Sequence, residues 1–391
     1  MRILHLIHSE GIYGAERVLL YLAREQRRCG YSPVIGSIRD PGTAETPFEV
    51  LAGSWQLPVV PIRIAPRPTP GVVRSLLRTM RELKSDVVHS HGYKANILLG
   101  PLPRRMRGPM LSTLHGWTGG RTFSALWLYE QLDRLALRSI DAVVLVTRQM
   151  LTLAALRGVS ATKLHVIENG IPALEARLAD LEGAQLPAEL TEFVARRPTL
   201  VAIGRLSAEK GFSLLLEAFA RARAQGGHSH QLLIVGEGPE RQALASHIAA
   251  LGLSGIAQLA GYVGGADRLL SGAHGFVMSS ITEGMPLVLL EAMQWRVPIL
   301  ATAVGSIPEL LDAGRRGRLV PPNDLVSLAQ GLQEMMSANS TDHRTRTAHS
   351  AVTAHFTSQR MSADYAKVYD SIRTAAAARQ NGGARLPPAA S

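Results

Sequence analysis

With 391 residues, 46% of them hydrophobic and 19% charged, the chain is too long for one small core and too apolar for widespread disorder. Its net charge of +11 lies almost entirely in the first half: residues 1–170 hold 22 Lys and Arg against 12 Asp and Glu, whereas residues 171–391 hold 20 against 19. Such an asymmetry is typical of proteins that meet nucleic acid, an anionic membrane or an acidic substrate.

The same composition argues against several kinds of protein. The sequence has no apolar run of about 18 residues, and its first residues, MRILHLIHSEG, lack the layout of a signal peptide. A single cysteine, Cys29, excludes an internal disulfide and argues against a zinc site built on thiolates. We therefore expect a cytoplasmic protein that needs no metal or other cofactor.

The first half alternates short β-branched or leucine-rich runs with longer amphipathic segments. Residues 14–30, GAERVLLYLAREQRRCG, are one such segment, with apolar residues on one helical face and a glycine at the end. Strands that alternate with helices predict a parallel, doubly wound sheet. The predicted strands are residues 2–8, 32–38, 59–64, 86–91, 110–115, 141–147 and 163–169.

The alternation begins again after a polar segment at 171–198, which is predicted to link two domains. The fold class predicted is therefore α/β, with two Rossmann-like, doubly wound domains, residues 1–170 and 199–355, facing a central cleft. A terminal helix at 356–376 is expected to cross back to the first domain, and the tail at 377–391 is expected to be disordered. The predicted strands of the second domain are residues 199–204, 230–236, 256–263, 275–280, 297–302 and 317–322.

Candidate site residues lie just after strands, because ligands of open parallel sheets bind beyond the carboxyl ends of the strands. Gly11 and Gly14 follow the first strand, where small residues allow close approach of a phosphate or sugar, although taken alone the pattern fits a plain loop better. His89, His91 and His115 end two further strands and could donate to an oxygen or move a proton, although a structural role is equally consistent with the pattern. The sequence lacks the histidine spacing and acidic cluster of a metal site.

Two cations follow the first strand of the second domain. In GRLSAEKGF, residues 204–212, the strand ends at Gly204, and Arg205 and Lys210 lie in the short loop before a helix. Arginine can bind a diphosphate through two hydrogen bonds, and lysine can act as a point charge. Cations gain nothing from the positive end of a helix, so the pattern favours an anionic ligand over two exposed surface charges.

A nearly all-apolar helix follows a loop in the stretch ITEGMPLVLLEAM, residues 281–293. We predict Pro286 as its first residue, because proline lacks the N–H group that this position does not need. The N–H groups of Met285, Leu287 and Val288 would then point out of the positive helix end. Such an end is a ready site for a phosphate.

Two carboxylates interrupt this apolar stretch. Removing water from an unpaired charge is costly, so Glu291 within a buried helix requires a partner. It could accept hydrogen bonds from the vicinal hydroxyls of a ribose, as acidic residues do in dinucleotide folds, or it could pair with Arg296 or another basic residue. Glu283, in the loop beside the phosphate site, would lie nearer the other end of the same ligand.

Taken together, these segments resemble the retaining glycosyltransferases of family 4, also called glycosyltransferase group 1, which have the GT-B architecture. The resemblance extends over roughly residues 3–370. Each segment alone is a weak signal, whereas the ordered set is highly specific. The matching segments are YGAER, LHGW, VIENGI, GRLSAEKGFSLLLEAF, IVGEGPER, LAGYV, SSITEGMPLVLLEAM, GSIPELL and GRLVPPND.

The resemblance implies an enzyme that transfers a hexosyl group from a UDP- or GDP-linked sugar, with retained anomeric configuration and no essential metal. It implies that Arg205 and Lys210 neutralise the diphosphate as it leaves. Glu283 would contact the donor sugar, and His115 would stand beside that sugar at the reacting centre.

The remaining donor contacts implied by the resemblance come mainly from the second domain. Glu291 would bind the ribose, and Gly14 would approach the diphosphate from the first domain. Tyr262 and Val263 would face the base, with residues 236–240 nearby. The backbone that holds sugar hydroxyls and phosphate would be that of Gly284, Met285, Pro286, Leu287 and Val288.

Two positions depart from the family pattern, which often has two adjacent glycines at Tyr13-Gly14 and a glycine at Ser306. Neither departure removes a charged group, so activity is expected. The alternatives are a sugar-nucleotide epimerase of the same fold, a catalytically silent subunit and, in a different class, a basic nucleic-acid-binding protein. The last alternative predicts interleaved basic and aromatic residues, yet aromatics make up only 5%, and both carboxylates stay unexplained.

The basic first half also suggests where the acceptor lies. The segment PLPRRMRGP, residues 101–109, is expected to be a basic surface loop, for which a solvated charged face and contact with a membrane surface are the two main alternatives. We predict a glycan or polyprenyl-linked acceptor, in polysaccharide or glycolipid biosynthesis, at the inner face of a membrane. The expected partners are a nucleotide-diphosphate sugar, this acceptor and an anionic membrane surface, with no nucleic acid.

Overall fold

The chain consists of two compact units, Met1–Gly170 together with Ser358–Ser391, and Ile171–Thr357. The computed structural model describes residues 1–9, 11–40, 42–64, 70–116, 125–180, 185–226, 229–337 and 343–381. Every strand pair in both units is parallel, which confirms the predicted α/β class. In the described part of the chain, no helix combines the length and apolar character needed to cross a bilayer.

The first unit contains a seven-stranded sheet in the order β3-β2-β1-β4-β5-β6-β7. Strand β1 lies between β2 and β4, with Ile3 paired to Pro33 on one side and to Val87 on the other. Its Leu4 and Leu6 are fully buried, as expected where helices cover both faces of a parallel sheet. The strands are β1 (Arg2–His8), β2 (Ser32–Arg39), β3 (Val59–Arg63), β4 (Val87–Ser90), β5 (Met110–Leu114), β6 (Ala142–Leu145) and β7 (Leu164–Val166).

Helices of the first unit connect these strands. In the first helix, Leu19, Leu22 and Ala23 are fully buried, as the predicted apolar face requires. The helices are α1 (Gly14–Arg28), α2 (Pro47–Ser54), α3 (Pro70–Glu82), α4 (Tyr93–Leu99), α5 (Arg104–Arg107) and α6 (Ala125–Ser139).

The basic segment 101–109 differs from the expected surface loop. It contains α5, a single helical turn, and the side chain of Arg107 is only 3% exposed. Arg107 donates to the carboxylate of Asp141 at 2.9 Å and to the carbonyl oxygen of Ser139 at 2.8 Å. Arg104 lies 3.5 Å from the other oxygen of Asp141. Two of the three arginines therefore brace the first unit instead of forming a free basic surface.

The second unit contains a six-stranded sheet in the order β10-β9-β8-β11-β12-β13. Strand β8 lies between β9 and β11, so the strand order reverses there, as it does at β1 in the first sheet. The strands are β8 (Thr199–Ile203), β9 (Gln231–Val235), β10 (Ala257–Gly261), β11 (Gly275–Met278), β12 (Ile299–Thr302) and β13 (Arg318–Val320).

Residues 171–198, assigned to a linker from the sequence, cluster with the second unit. Two helices form there, and the second of them buries Leu190, Phe193 and Val194, which accounts for its packing onto this unit. The helices of the unit are α7 (Leu174–Ala179), α8 (Ala188–Arg196), α9 (Phe212–Gly226), α10 (Arg241–Ala250), α11 (Leu287–Gln294), α12 (Ile307–Leu310), α13 (Leu325–Ser337) and α14 (His343–His355).

A last helix, α15 (Ser358–Asn381), belongs to the first unit. Its Met361 and Tyr369 are fully buried there, and Gln26 of α1 donates to the Tyr369 hydroxyl. Residues 377–381, expected to be disordered, instead continue this helix, and the rest of that expectation, 382–391, lies outside the described residues.

Candidate functional site

A short loop after β8 carries the two predicted cations. Arg205 is exposed, and Lys210 ends a 3-10 turn at Ala208–Lys210. Gly211 has φ +64°, and a Cβ there would lie 2.3 Å from the carbonyl oxygen of Ser279. Only glycine fits this contact, which fixes the loop against the segment that follows β11.

Lys210 and Glu283 form an ion pair across this contact. The Lys210 ammonium lies 2.6 Å from Oε1 of Glu283, and the hydroxyl of Ser280 donates to the same oxygen at 2.7 Å. The side chains of Lys210 and Glu283 are 24% and 8% exposed. The structure therefore brings together a cation and a carboxylate to which the sequence assigned separate contacts with a ligand.

The loop before α11 is held from a neighbouring segment. Gly305 has φ +52°, and a Cβ there would lie 2.0 Å from the carbonyl oxygen of Glu283. The hydroxyl of Ser306 donates to the carbonyl oxygen of Gly284 at 2.8 Å. Ser306, which departs from the family pattern, thus adds a hydrogen bond that fixes this loop.

Helix α11 begins at Leu287, one residue later than predicted. Pro286 has φ −74° and ψ 119°, so its extended backbone makes it the N-cap residue and not the first helical residue. The first-turn N–H groups, including those of Leu287 and Val288, have no acceptor within the helix. They remain suited to an anion at the positive helix end.

Glu291 lies in a buried charged cluster of the second unit and is 1% exposed. Its Oε1 is 3.3 Å from a guanidinium nitrogen of Arg177, which also donates to Asp267. The indole N–H of Trp295 donates to Asp267 at 3.1 Å. The predicted pairing of Glu291 with a basic residue thus occurs, but the partner is Arg177 of α7 and not Arg296.

Two more strand ends carry predicted base contacts. Tyr262, 61% exposed, and Val263 follow β10. The loop at 236–240 follows β9, where Glu237 accepts a hydrogen bond from Arg241 at 2.9 Å. Because all these strands are parallel, their carboxyl ends lie at the same edge of the second sheet as Lys210.

In the first unit, a cavity of about 250 Å³ opens at the carboxyl ends of β1 and β4. Glu16, His91, Tyr93 and Lys94 are among the residues that line it. Gly14 begins α1 nearby, and a Cβ at this position would meet nothing within 4 Å. Packing inside the protein therefore does not explain the glycine, whereas close approach of a ligand would.

Three histidines, His5, His91 and His115, form a hydrogen-bonded chain that begins in the interior and ends at His115. Gln26 Oε1 lies 2.8 Å from Nε2 of His5, and Nδ1 of His5 lies 3.0 Å from Nε2 of His91. Nδ1 of His91 then lies 3.0 Å from Nε2 of His115. His115, directly after β5, is partly buried, whereas the other two imidazoles are buried.

A second branch of hydrogen bonds starts at the side-chain amide of Gln26. Gln26 donates through its amide nitrogen to the Tyr369 hydroxyl at 3.0 Å, and this hydroxyl lies 2.8 Å from Nδ1 of His89. Nε2 of His89 lies 2.7 Å from Oγ1 of Thr113, which contacts the Tyr365 hydroxyl at 2.9 Å. Each ring nitrogen of His89 thus has a partner.

The four imidazoles are neutral at neutral pH. Burial lowers the pKa of His5 and of His115 to about 4. Burial, reinforced by neighbouring imidazoles, lowers the pKa of His89 and of His91 well below the ordinary value. A neutral imidazole has one N–H group and one lone pair, so each can donate one hydrogen bond and accept one.

Nitrogens of His5, His89 and His91 lie within 4.8 Å of one another, a spacing at which one metal ion could contact all three. Both ring nitrogens of each already take part in hydrogen bonds, and bound metal would replace the protons in these bonds. The donor set therefore fits a hydrogen-bond network better than a metal ion.

Several residues of these networks carry no signal in the sequence. Gln26 and Tyr369 are 343 residues apart in the chain. Arg177 lies in the segment that was expected to be a linker, and nothing in its neighbourhood predicts a contact with Glu291. His5 lies in the middle of a predicted apolar strand, where its polar side chain is the one visible irregularity.

Comparison with solved structures defines the class of fold. HepE of Anabaena, solved in complex with UDP and glucose, superimposes with a TM-score of 0.79 at 22% identity. The match covers 95% of this chain and 100% of that one. The fold is thus the two-domain α/β architecture of GT-B glycosyltransferases.

The family follows from the sequence matches. Residues 12–173 match the model described as Glycosyltransferase Family 4, and residues 197–338 match the one described as Glycosyl transferases group 1. Together they take in most of the chain, which therefore belongs to the family 4, group 1 glycosyltransferases.

Individual relatives match this chain either over a short region or at low sequence identity. WcaL of Salmonella typhimurium, named for colanic acid biosynthesis, is 34% identical over 143 residues, which are 34% of this chain and 35% of WcaL. Glycogen synthase of Mycobacterium tuberculosis is 27% identical over 309 residues, 75% of this chain and 70% of the relative. The matched region thus spans only about a third of WcaL.

Proposed function

We propose that this protein is a retaining, metal-independent glycosyltransferase that moves a hexosyl group from a UDP- or GDP-linked sugar to a glycan or lipid-linked acceptor. The observation that carries the proposal is the Lys210–Glu283 pair, 2.6 Å apart, beside the first turn of α11. A cation, a carboxylate and free helix N–H groups at one strand edge match the phosphate and the hydroxyls of a sugar nucleotide.

In this proposal the second unit binds the donor. An ammonium group has three N–H donors, so Lys210 can hold Glu283 and still donate to a diphosphate oxygen. Arg205, exposed in the same loop, supplies the second cation. Glu283 accepts hydrogen bonds from hydroxyls of the transferred sugar, and the backbone from Gly284 to Val288 donates to sugar and phosphate.

Glu291 is proposed to read the ribose, and Tyr262 with Val263 the base. Arg177 would pair with Glu291 without neutralising the whole cluster, because Asp267 shares the same guanidinium. In the first unit, His115 is proposed to contact the transferred sugar, and Gly14 to leave room for the diphosphate.

The proposed transfer breaks the bond between the anomeric carbon and the diphosphate oxygen. The electron pair leaves with the nucleotide diphosphate, whose growing charge Arg205 and Lys210 stabilise. The acceptor hydroxyl oxygen then bonds to the same face of the anomeric carbon. Its proton passes to the departing phosphate oxygen, so this route needs no basic side chain.

The acceptor is proposed to be lipid-linked, in polysaccharide or glycolipid biosynthesis, with the first unit against an anionic membrane surface. The support comes from α6, where Leu128 and Leu135 are 55% and 56% exposed and Leu132 is 37% exposed. Spacings of four and three residues place the three leucines on one helical face.

Arginines border this face of α6. Arg134, Arg138 and Arg157 line a hollow of about 280 Å³ together with Leu135. Exposed leucines beside arginines suit the boundary between acyl chains and anionic headgroups. Buried Asp133, which accepts from Asn96 at 2.9 Å, fixes the opposite side of the helix to the protein.

The experiment that tests donor binding is a thermal-shift screen of the full chain with UDP, GDP and their nucleosides. A ligand that binds only the folded protein stabilises it by about 2.7 kcal/mol at a hundredfold excess over Kd. One of the two diphosphates is expected to raise Tm, and its nucleoside much less. Arg205→Gln should reduce the diphosphate shift, whereas the surface control Arg196→Gln should not. Equal shifts by diphosphate and nucleoside would contradict the assigned phosphate contacts.

A further inference from the structure

Gln26 lies at the start of the hydrogen-bonded chain that ends at His115, yet it is buried in α1 and can touch no ligand. We propose that Gln26 is a positioning residue that holds His115 as the Nε2–H tautomer. His115 then offers the lone pair of Nδ1 to a sugar hydroxyl; only the identity of that hydroxyl rests on the proposed function.

The chain has a single direction because its members are neutral. The amide oxygen of Gln26 faces Nε2 of His5, so this nitrogen carries the proton and donates. Nδ1 of His5 must then accept from Nε2–H of His91. Nδ1 of His91 in turn must accept from Nε2–H of His115. The proton position at the end of the chain is thereby fixed by one amide.

The second branch is satisfied with the same orientation of the amide. The amide nitrogen of Gln26 donates to Tyr369, whose own proton is then free to be donated to Nδ1 of His89. Nε2–H of His89 donates to Thr113. Rotating the amide by half a turn would reverse both branches and place a proton on Nδ1 of His115. The two states are therefore alternatives for the whole network, and the amide orientation in this structure corresponds to the first.

This selection matters for recognition. An unprotonated Nδ1 accepts a hydrogen bond from a hydroxyl but cannot donate to a phosphate or carbonyl oxygen. Within the described part of the chain, the hydrogen bond of His115 to His91 uses Nε2, and the proposal assigns the Nδ1 lone pair to a ligand. His115 is thereby adapted to a hydroxyl donor such as a sugar.

Nitrogen-15 NMR of the histidine-labelled full chain tests the proposal without any substrate. The His115 signals are identified by their loss in His115→Gln. In the wild-type protein, Nε2 should be protonated and Nδ1 unprotonated. A protonated Nδ1 on neutral His115 would overturn the proposal.

Two substitutions of Gln26 extend the test. Gln26→Met removes the acceptor for His5, so His115 should become a mixture of tautomers. Gln26→Glu, measured at alkaline pH, keeps an acceptor for His5 and should keep the His115 tautomer. Because this carboxylate would also accept from Tyr369, His89 should change tautomer instead. An unchanged His115 tautomer in Gln26→Met would contradict the role of the amide.

Kinetics connect the tautomer to the reaction. Gln26→Met should lower kcat/KM in proportion to the lost Nε2–H population of His115, about twofold for an equal mixture of tautomers, and Gln26→Glu should restore most of it at alkaline pH. Tyr365→Phe removes a buried hydroxyl at the far end of the other branch and serves as the control for destabilisation. Equal losses in Gln26→Met and Tyr365→Phe would indicate a structural role. Absence of turnover by the wild type with every donor would instead refute the proposed function and leave the NMR result standing.

Discussion

At the level of single residues, the ion pair of Lys210 and Glu283 shows how side chains of a candidate site can be ordered before a ligand binds. Glu283 is nearly buried, and its charge is compensated by the ammonium group and by the hydroxyl of Ser280. The same pairing orients Lys210, which loses less side-chain freedom when it meets a ligand. Glycines at positions 211 and 305 permit the close backbone contacts that make this pairing possible.

Glu291 has both a structural partner, Arg177, and a proposed ligand, the ribose, so its substitution can be tested for two separate effects. Glu291→Gln is expected to weaken binding of the nucleotide sugar roughly tenfold or more, since hydrogen bonds to charged groups contribute about 1.5–3 kcal/mol. The fold should change less, because Arg177 keeps Asp267 as a partner. Titration calorimetry with the donor and a thermal melt measure the two effects.

Asp267→Asn is the matched control for Glu291→Gln. It removes a charge from the same buried cluster and should lower Tm while leaving donor affinity nearly unchanged. A Glu291→Gln variant that behaves like this control, with lower Tm and unchanged affinity, would assign Glu291 to the structure alone.

Residue types in the sequence identified the cations and carboxylates of the candidate site, but not which residues pair with one another. Arg205, Lys210, Glu283 and Glu291 stand out because charges are rare next to buried strands and in apolar helices. Their partners depend on tertiary contacts: Lys210 meets Glu283 through packing of two strand-end loops, and Arg177 reaches Glu291 from another helix. Local patterns carry no information on such contacts.

At the scale of single elements, the charge pattern in the sequence predicted a basic surface at the segment that contains α5. The structure instead has exposed leucines beside arginines at α6. The basic segment at 101–109 uses Arg104 and Arg107 internally, around Asp141. Helix α6, in contrast, leaves leucines exposed beside arginines. Counting charges cannot separate these cases, because arginine serves both as an internal brace and as a surface charge.

Vesicle flotation tests the assignment of α6 to an anionic membrane. The full chain should float with phosphatidylglycerol-containing vesicles at low salt, and added salt should weaken this binding because the arginines are screened. Replacing Leu128, Leu132 and Leu135 by serine should abolish most of the binding. Val326→Ser, an exposed apolar residue of the second unit, is the control.

Two results would contradict this assignment. One is a wild-type protein that stays out of the vesicle fraction at low salt. The other is equal binding by the triple serine variant, since membrane contact would then lie elsewhere on the protein.

Helix α11 illustrates how far element boundaries follow from sequence. The helix, its burial and its place after β11 were predicted from apolar residues and a proline, whereas its start was displaced by one residue. Proline is compatible with both the N-cap and the first helical position. The choice here follows the loop before it, which Ser306 fixes through Gly284.

At the scale of the whole molecule, the alternation of apolar runs and helices was sufficient to predict two parallel sheets. Strand order was not predicted, because sequence periodicity says which segments are strands and not which strands are neighbours. In both units the order reverses next to the first strand of that unit, at β1 and at β8. Gly14, after β1, and Lys210, after β8, therefore follow strands at comparable positions in the two sheets.

The membership of α15 in the first unit shows the same limit. Its helical pattern is visible in the sequence, but the burial of Tyr365 and Tyr369 among His89, Thr113 and Gln26 is a tertiary contact. Without that contact the buried histidines look like isolated polar residues at strand ends. With it they become one network that connects a helix interior to His115.

The central claim is transfer of a sugar, and the most direct test is incubation of the full chain with a panel of UDP- and GDP-linked sugars, with and without glycan and polyprenyl-linked acceptors. We expect release of one nucleotide diphosphate for each sugar transferred, only when an acceptor is present, and a product whose anomeric configuration is that of the donor. Conversion of the sugar nucleotide without any acceptor, as an epimerase would perform, or a product of inverted configuration would contradict it.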